Sequence, residues 1–140
     1  IDMSKASSFG LKVLASPNGD EETVIEFNSI ENNITVDFSN SSLDTSIKHY
    51  QRTMNFMTSE PNPIATDQVA PFSLGKNEKL EIQIFIDKSI IEIFANGRQC
   101  VTQRVYPTRS DSRGIELFSS GGNSKVNILR VWDMSPTNQW

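Results

Sequence analysis

The strongest constraint on the fold is a period-two alternation of side chains that begins at residue 80. Apolar residues occupy every second position and leave Glu81, Gln83 and Phe85 between them; they are Leu80, Ile82, Ile84 and Ile86. Successive side chains of an extended strand point to opposite faces, so this spacing predicts a strand with one buried face. Residues 90–95 follow after a short polar turn and are rich in β-branched and aromatic side chains, which favour strands. The two segments predict an antiparallel hairpin.

A tight turn continues this hairpin into a third strand. Asn96-Gly97 is the pair best suited to a type I′ turn, because both central residues of that turn need a positive φ. Residues 99–106 then resume the apolar pattern. Residues 80–106 are therefore predicted to form three consecutive antiparallel strands.

Similar short apolar segments, separated by Gly, Pro and Asn, occur along most of the chain. Further strands are predicted at 9–13, 23–27, 34–38, 114–120 and 125–132. Between Ser39 and Pro71 the alternation is lost, which predicts a long irregular segment. The pattern predicts an all-β fold, a two-sheet antiparallel β-sandwich of about 8–10 strands with no long helix, and a single domain over 1–140.

Charge and composition exclude several functions. The 13 Lys and Arg residues against 17 Asp and Glu give a net charge of −4 without a basic cluster, which argues against a nucleic-acid partner. No apolar run approaches the roughly 20 residues needed to cross a bilayer. One cysteine and one histidine exclude an internal disulfide and a Cys/His zinc site, and we expect no cofactor. Residues 1–8 do not resemble a signal peptide, and we expect the chain to be one part of a longer protein.

Four side chains are candidates for chemistry, and each has a structural alternative. Glu92 lies within an apolar strand, where its carboxylate is either desolvated or faces solvent; we expect the outward position. Asp87 is a ligand or acid, or it hydrogen-bonds its own turn. His49 is a general base or an exposed loop residue. Cys100 is a nucleophile or a small apolar filler in a strand, and we favour the filler.

Arginine and aromatic residues provide candidate binding groups. The arginines surround the third strand and either bind an anion, pair with acids of another domain, or are solvated; they are Arg98, Arg104, Arg109 and Arg113. Aromatic rings stack on sugars, and the candidates are Tyr50, Tyr106, Trp132 and Trp140. We expect Trp132, within a predicted strand, to be buried or at an interface. Asn33 and Asn40 begin sequons for N-glycosylation, whose use the sequence leaves open.

The central segment resembles a known family. Residues 84–107, which read Ile-Phe-Ile-Asp-Lys-Ser-Ile-Ile-Glu-Ile-Phe-Ala-Asn-Gly and then end in Arg-Val-Tyr-Pro, are similar to the signature of the C-terminal domain of glycoside hydrolase family 32. Its members are invertases, inulinases, levanases and fructosyltransferases. Phe9–Val13 upstream and Trp132 downstream also fit the family, so the resemblance covers nearly the whole chain.

The resemblance implies that catalysis belongs to a separate domain. In the family an N-terminal five-bladed propeller holds the active site, and its retaining mechanism uses acids in Asn-Asp-Pro, Arg-Asp-Pro and Glu-Cys stretches. None of these occurs here, and Cys100 follows Gln99. The resemblance therefore implies no catalytic residue in this chain and structural roles for Asp87 and Glu92.

The expected function is that of an accessory module of an enzyme acting on sucrose or fructans. Its partner would be the propeller, which it stabilises while shaping one rim of the cleft; homodimer formation is left open, and the parent protein is expected to be secreted or extracellular. The alternative is a stand-alone carbohydrate-binding, lectin-like module, because sandwiches present sugar sites on sheets and loops.

Overall fold

A computed structural model describes residues 1–50 and 63–135, and it shows two main antiparallel sheets. The five-stranded sheet has the order β10-β1-β2-β3-β6, with β1 at Ser8–Ala15, β2 at Thr23–Asn28, β3 at Asn33–Asp37, β6 at Asp67–Pro71 and β10 at Gly114–Ser120. The three-stranded sheet has the order β7-β8-β9, with β7 at Ile82–Asp87, β8 at Ile90–Ala95 and β9 at Gln99–Arg104. A two-stranded pair joins β4 at His49–Tyr50 to β5 at Ile64–Ala65. No helix of membrane-spanning length and hydropathy occurs in the described ranges.

The core lies between the two main sheets. Ile25, Phe27 and Val36 of the larger sheet belong to one buried cluster with Ile93 and Val101 of the smaller sheet. Because alternate residues of each strand point inward, the two apolar faces close on each other as the alternation predicted. The all-β sandwich is confirmed.

The predicted three-strand meander is also confirmed. Ile84 pairs with Ile93, which pairs in turn with Val101, so the apolar positions share one face. Asn96 and Gly97 have φ of 47° and 61°, and the backbone N–H of Arg98 donates to the carbonyl of Ala95 at 3.0 Å. These are the features of the type I′ turn that Asn-Gly favours.

The prediction of irregular structure between Ser39 and Pro71 is wrong in part. β6 pairs with β3 along its whole length, from Asn33–Pro71 to Asp37–Asp67. Four of its five residues are exposed, so β6 is held by backbone hydrogen bonds rather than by an apolar face, and alternation gives no signal for such an edge strand. Residues 51–62 of this segment lie outside the described residues.

The prediction of a strand over 125–132 is also wrong. Lys125 forms an isolated antiparallel bridge with Asp2, and the residues after it form no strand. A strand needs a neighbouring edge for its backbone groups, and none of the described strands pairs with this segment. We call residues 126–132 the C-terminal tract; its large apolar side chains are 61–74% exposed, namely Ile128, Leu129, Val131 and Trp132.

Candidate functional site

The two acidic candidates lie on the outer face of the small sheet. Glu92 is exposed in the middle of β8, between Phe85 on β7 and Thr102 on β9, while its neighbours Ile91 and Ile93 are buried. The expected outward position of Glu92 is confirmed. Asp87 is exposed at the end of β7, beside Lys88 with a φ of 52°. Within 1–50 and 63–135, no three His, Cys, Asp or Glu side chains are grouped to hold a metal ion.

His49 is not the exposed loop residue that was expected. It lies in β4, half-buried, with its ring 4.7 Å from the Phe38 ring and stacked at 6.0 Å on Tyr106. Burial lowers the pKa of His49 below its ordinary value. Its Nε2 is buried and makes no hydrogen bond to the described residues. Long-range packing on Phe38 and Tyr106, which local sequence does not show, removes the ring from solvent.

Cys100 is not an apolar filler. Its side chain is exposed on β9, opposite Phe94, while the adjacent Val101 points into the core. The two residues alternate across the strand, and the branched aliphatic side chain takes the inner position.

The arginines do not form one cluster. Arg98 pairs with Glu78 at 2.6 Å, whereas Arg109 pairs with Asp111 at 2.8 Å and Asp20 at 3.2 Å. Arg104 lies 5.9 Å from the Tyr106 ring centre, and Arg113 is exposed. Two of the four arginines, Arg98 and Arg109, are thus paired with carboxylates inside the module, which weakens the anion-binding interpretation for these two.

The aromatic candidates are dispersed as well. Tyr50 is exposed, and Tyr106 is partly covered by the His49 ring and the Arg104 guanidinium. Trp132, expected to be buried or at an interface, is 74% exposed, because its segment has no partner strand in the described structure. Trp140 lies outside the described residues.

A shallow groove lies where the end of β6 meets the β8–β9 turn. It has a volume of about 380 Å³ and is lined by Asn32, Pro71, Phe72, Ser73, Arg98 and Gln99. Its polar groups are already engaged: Arg98 donates to the carbonyl of Ser73 at 2.8 Å and to Glu78, and the Gln99 side chain donates to the carbonyl of Pro71 at 2.9 Å. The guanidinium also lies over the Phe72 ring at 5.0 Å. Because Phe72 is only 5% exposed and belongs to the core, the groove offers a cation but little apolar surface and few free hydrogen-bonding groups.

Arg98 is fixed by a small polar network around the β8–β9 turn. The Glu78 carboxylate accepts hydrogen bonds from Arg98, from the backbone N–H of Gly75 at 2.7 Å and from the Asn96 side chain at 2.7 Å. These interactions, with Arg98 contributing most, lower the pKa of Glu78 to about 2. The turn that the sequence predicted is thereby anchored to the loop between β6 and β7.

A second strongly perturbed carboxylate in the described structure is Glu21, which sequence reasoning missed. Its side chain is fully buried, and its carboxylate accepts hydrogen bonds from the backbone N–H of Leu43 at 2.9 Å, Thr108 at 2.8 Å and Arg109 at 3.0 Å. The hydroxyls of Thr108 and Ser112 donate as well, the latter at 2.7 Å. One carboxylate thus joins the β1–β2 turn, the loop after β3 and the loop before β10.

Hydrogen bonding outweighs burial at this site. Burial alone raises the pKa of the Glu21 carboxyl, but the donors on Ser112, Thr108 and Arg109 lower it to about 2. Because all of its donors are internal and no solvent reaches it, the Glu21 carboxylate has a structural role. We call this carboxylate with its hydrogen-bond donors the Glu21 lock. The signal was present in the sequence: Glu21, Thr23, Ile25 and Phe27 continue one period-two face, which places the acid inside.

The fold and these sites define a two-sheet β-sandwich module. Comparison with known proteins gives its family. The family model for the C-terminal domain of glycosyl hydrolases family 32 matches residues 1–133, and the chain belongs to that family as its C-terminal module.

Individual relatives agree with this assignment. The chain is 34% identical over 131 residues to an acid beta-fructofuranosidase of Vicia faba, covering 91% of this chain and 19% of that protein. It is 39% identical over 67 residues to the levanase of Bacillus subtilis (strain 168), covering 43% of this chain and 10% of that protein. The crystal structure of an exo-inulinase from Aspergillus awamori superposes with a TM-score of 0.65 at 25% identity, covering 84% of this chain and 20% of that one. The chain therefore spans about a fifth of the bean and Aspergillus proteins, whose family places a catalytic domain before this module.

Proposed function

We propose that this module stabilises the catalytic propeller of a β-fructofuranoside-cleaving glycoside hydrolase that acts on sucrose or fructans, and that it shapes one rim of the interdomain cleft. The observation that carries the proposal is the match of residues 1–133 to the C-terminal domain of the family, in a sequence that contains none of the family's catalytic motifs. The names of the relatives, a beta-fructofuranosidase and a levanase among them, support the substrate class.

Exposed apolar surface supports an interdomain role. The C-terminal tract exposes four large apolar side chains within five residues, from Ile128 to Trp132, and Ile115 on β10 is 53% exposed. Contiguous apolar patches of this kind mark interaction surfaces in soluble proteins. Covering this patch with another part of the parent protein would remove it from water.

The test is the thermal stability of the parent protein with and without the module. We expect the propeller without residues 1–140 to unfold at a lower temperature, and addition of the separate module to restore part of the loss. Val131→Asp in the full-length parent should lower its Tm, because it places a charge in the apolar patch. Ile30→Asp, at an equally exposed isoleucine in the β2–β3 turn, is the matched control. An unchanged Tm after deletion, together with no association, overturns the proposal.

Dimerisation of the parent protein and its secretion belong to the same proposal. Sedimentation velocity of the full-length protein and of a module deletion tests whether the module carries a dimer contact. Secretion is supported by the two sequons: Asn40 is exposed, whereas Asn33 is half-buried with its amide donating to Glu31 at 3.1 Å. Recovery of the protein from culture medium of its source, rather than from cell extract, tests secretion.

The groove at Phe72 supports a second candidate function, binding of carbohydrate by the module itself. The groove presents the half-exposed Arg98 guanidinium above the buried Phe72 ring, and most polar groups around it are internally bonded. Calorimetric titration with inulin, levan, sucrose and fructose decides between the two candidates. Binding that is lost in Arg98→Ala but kept in Arg113→Ala, at an exposed arginine outside the groove, would establish this site, and no heat with any of the four sugars would exclude it.

A further inference from the structure

Few contacts attach the β4–β5 pair to the rest of the sandwich. Each of its strands has only two residues, and an isolated pair of that length is not stable in water. One residue of each strand is exposed. The described attachments include the His49 ring, the partly buried Ala65 side chain and a backbone hydrogen bond of 2.9 Å from Phe38 to Thr66, directly after β5.

The His49 ring contacts two aromatic side chains from distant parts of the chain. Its centre lies 4.7 Å from the ring of Phe38, which follows β3, and 6.0 Å from the ring of Tyr106, which follows β9. The imidazole is therefore a contact point for three separate segments. Moving it out of this position would uncover part of two rings and detach β4 from the sandwich.

This position suits the neutral imidazole and disfavours the imidazolium. The Nε2 atom of His49 is buried and makes no hydrogen bond to any described residue. In the neutral ring this nitrogen can be the unprotonated one, which leaves no N–H group without an acceptor. A protonated ring carries an N–H on both nitrogens, so a charged donor would be buried without a partner, and that is costly.

The charged groups around the ring do not offset this cost. No carboxylate of the described residues lies within ion-pair distance of His49. Beyond the tyrosine ring lies the Arg104 guanidinium, 5.9 Å from its centre, and Lys48 precedes the histidine in the chain; both have the sign of an imidazolium. The acids next to its contacts in sequence, Asp37 and Asp67, pair with each other across β3 and β6, and both follow inward-facing positions. Burial lowers the pKa of His49 below its ordinary value.

We infer that His49 makes the docking of the β4–β5 pair dependent on pH: protonation of its ring releases the pair from Phe38 and Tyr106, and loss of the proton allows it to dock again. The released ring has the ordinary pKa of 6.5 and the docked ring a lower pKa, so the released form binds the proton more tightly. Docking is therefore fully favoured above pH ~6.5 and weakens as the pH falls below that value, by at most ~tenfold per pH unit for one proton. Glu21 and Glu78 stay ionised in this range, because the pKa of each is about 2. The inference does not depend on the role of the module in a parent protein.

NMR spectroscopy of the chain between about pH 5 and pH 7.5 tests this inference. His49 is the only histidine of the sequence, so its ring signals are assigned directly. We expect the ring to titrate below 6.5, and nuclear Overhauser contacts between the His49 and Tyr106 rings to weaken as it does. Exchange of the Phe38 amide, corrected for the intrinsic rate, should accelerate by up to ~tenfold per pH unit below 6.5. The amide of Ile93, in the central strand β8, is the internal control and should not respond.

Two variants separate the histidine from other effects of acid. His49→Phe keeps an aromatic ring at this position and cannot titrate, so its corrected Phe38 exchange should be the same at both ends of the pH range. Lys48→Gln removes the neighbouring charge, keeps the histidine and should retain the pH dependence of the wild type. Equal pH dependence in the wild type and His49→Phe overturns the inference, and so does its loss in both variants. If His49→Phe does not fold, the wild type decides: a ring that titrates at or above 6.5, or that titrates with unchanged contacts to Tyr106, also overturns it.

Discussion

At the scale of single residues, Glu21 contributes most to holding separate parts of the module together. Five hydrogen bonds converge on its carboxylate from two loops, and no solvent reaches it. Hydrogen bonds to a charged group stabilise more than neutral ones, and donors left unpaired in a buried site are costly.

Glu21→Gln should therefore destabilise the module by about 2–4 kcal/mol, because the neutral amide accepts more weakly and directs its own N–H groups at donors. Urea unfolding of the two proteins measures the difference. Glu116→Gln, at an exposed acid on β10, is the control and should change stability by less than ~0.5 kcal/mol. Equal losses in both variants would mean that the lock contributes nothing beyond general charge effects.

The same carboxylate predicts acid sensitivity. Its pKa falls from an ordinary value of 4.5 to about 2 on folding, so the unfolded chain binds the proton more tightly. The stabilisation is complete above pH ~4.5, declines as the pH falls toward 2, and amounts to about 3 kcal/mol. Denaturation midpoints between pH 2 and 6 should show a steeper decline for the wild type than for Glu21→Gln; parallel curves would contradict the assignment.

Cys100 should react with a maleimide in the native protein, because its side chain is exposed on β9. Mass spectrometry without denaturant should show one label per chain, and Cys100→Ser should show none. Labelling only after unfolding would show that the Cys100 thiol is buried in the native protein, as the apolar-filler interpretation predicts.

These residues also show what local sequence reveals. Glu92 was placed correctly because its apolar neighbours define the inner face of one strand. Cys100 and His49 were placed wrongly. The Cys100 thiol faces outward because Val101 takes the inner position of the strand, and the His49 ring packs against Phe38 and Tyr106, contacts that local sequence does not show. Glu21 was overlooked because it stands in an acidic run that resembles a solvated turn.

At the scale of elements, local signals identified strands with an apolar face and missed the strand without one. β7, β8 and β9 carry alternation and an Asn-Gly turn, so their order and register follow from neighbouring residues. β6 is an exposed edge strand whose pairing with β3 spans about thirty residues of sequence, and composition does not encode it. The strand predicted over 125–132 is absent for the opposite reason. The segment has alternating apolar residues, but no strand in the described structure lies beside it.

Gly10 is predicted to be essential to the packing of β1. A Cβ at this position would overlap the Phe118 ring of β10 and lie 2.8 Å from the carbonyl oxygen of Ile25 on β2. Gly10→Ala should cost about 2–3 kcal/mol through overpacking, measured by thermal unfolding. Gly97→Ala is the comparison: nothing lies near its Cβ, so only its positive φ is penalised, at about 1 kcal/mol. A smaller loss at Gly10 than at Gly97 would refute the close approach.

At the scale of the whole molecule, the family assignment depended on a continuous signature, and the comparisons confirm it over residues 1–133. Strand periodicity encodes neither the substrate of a parent protein nor a partner for the exposed apolar side chains.

The separate module should self-associate, because in the described structure it exposes the unpaired outer edge of β7 and the apolar side chains of the C-terminal tract. Its sedimentation coefficient should rise with concentration, and Trp132→Lys should reduce that rise by removing one exposed ring from the patch. Ile30→Lys, at a side chain of the same 74% exposure, should not. A monomer at all concentrations would show that the patch is too weak to associate.

The Glu21 lock also has a consequence for the order of folding. Thr108 stands 87 residues after Glu21, and Ser112 stands 91 residues after it, so these donors reach the acid only once β10 has paired with β1. A hairpin of β1 and β2 can form earlier with the carboxylate still hydrated. The hydrogen bonds from the later loop to Glu21 then form late in folding and break early in unfolding. This contact therefore sets the rate of unfolding rather than the rate of folding.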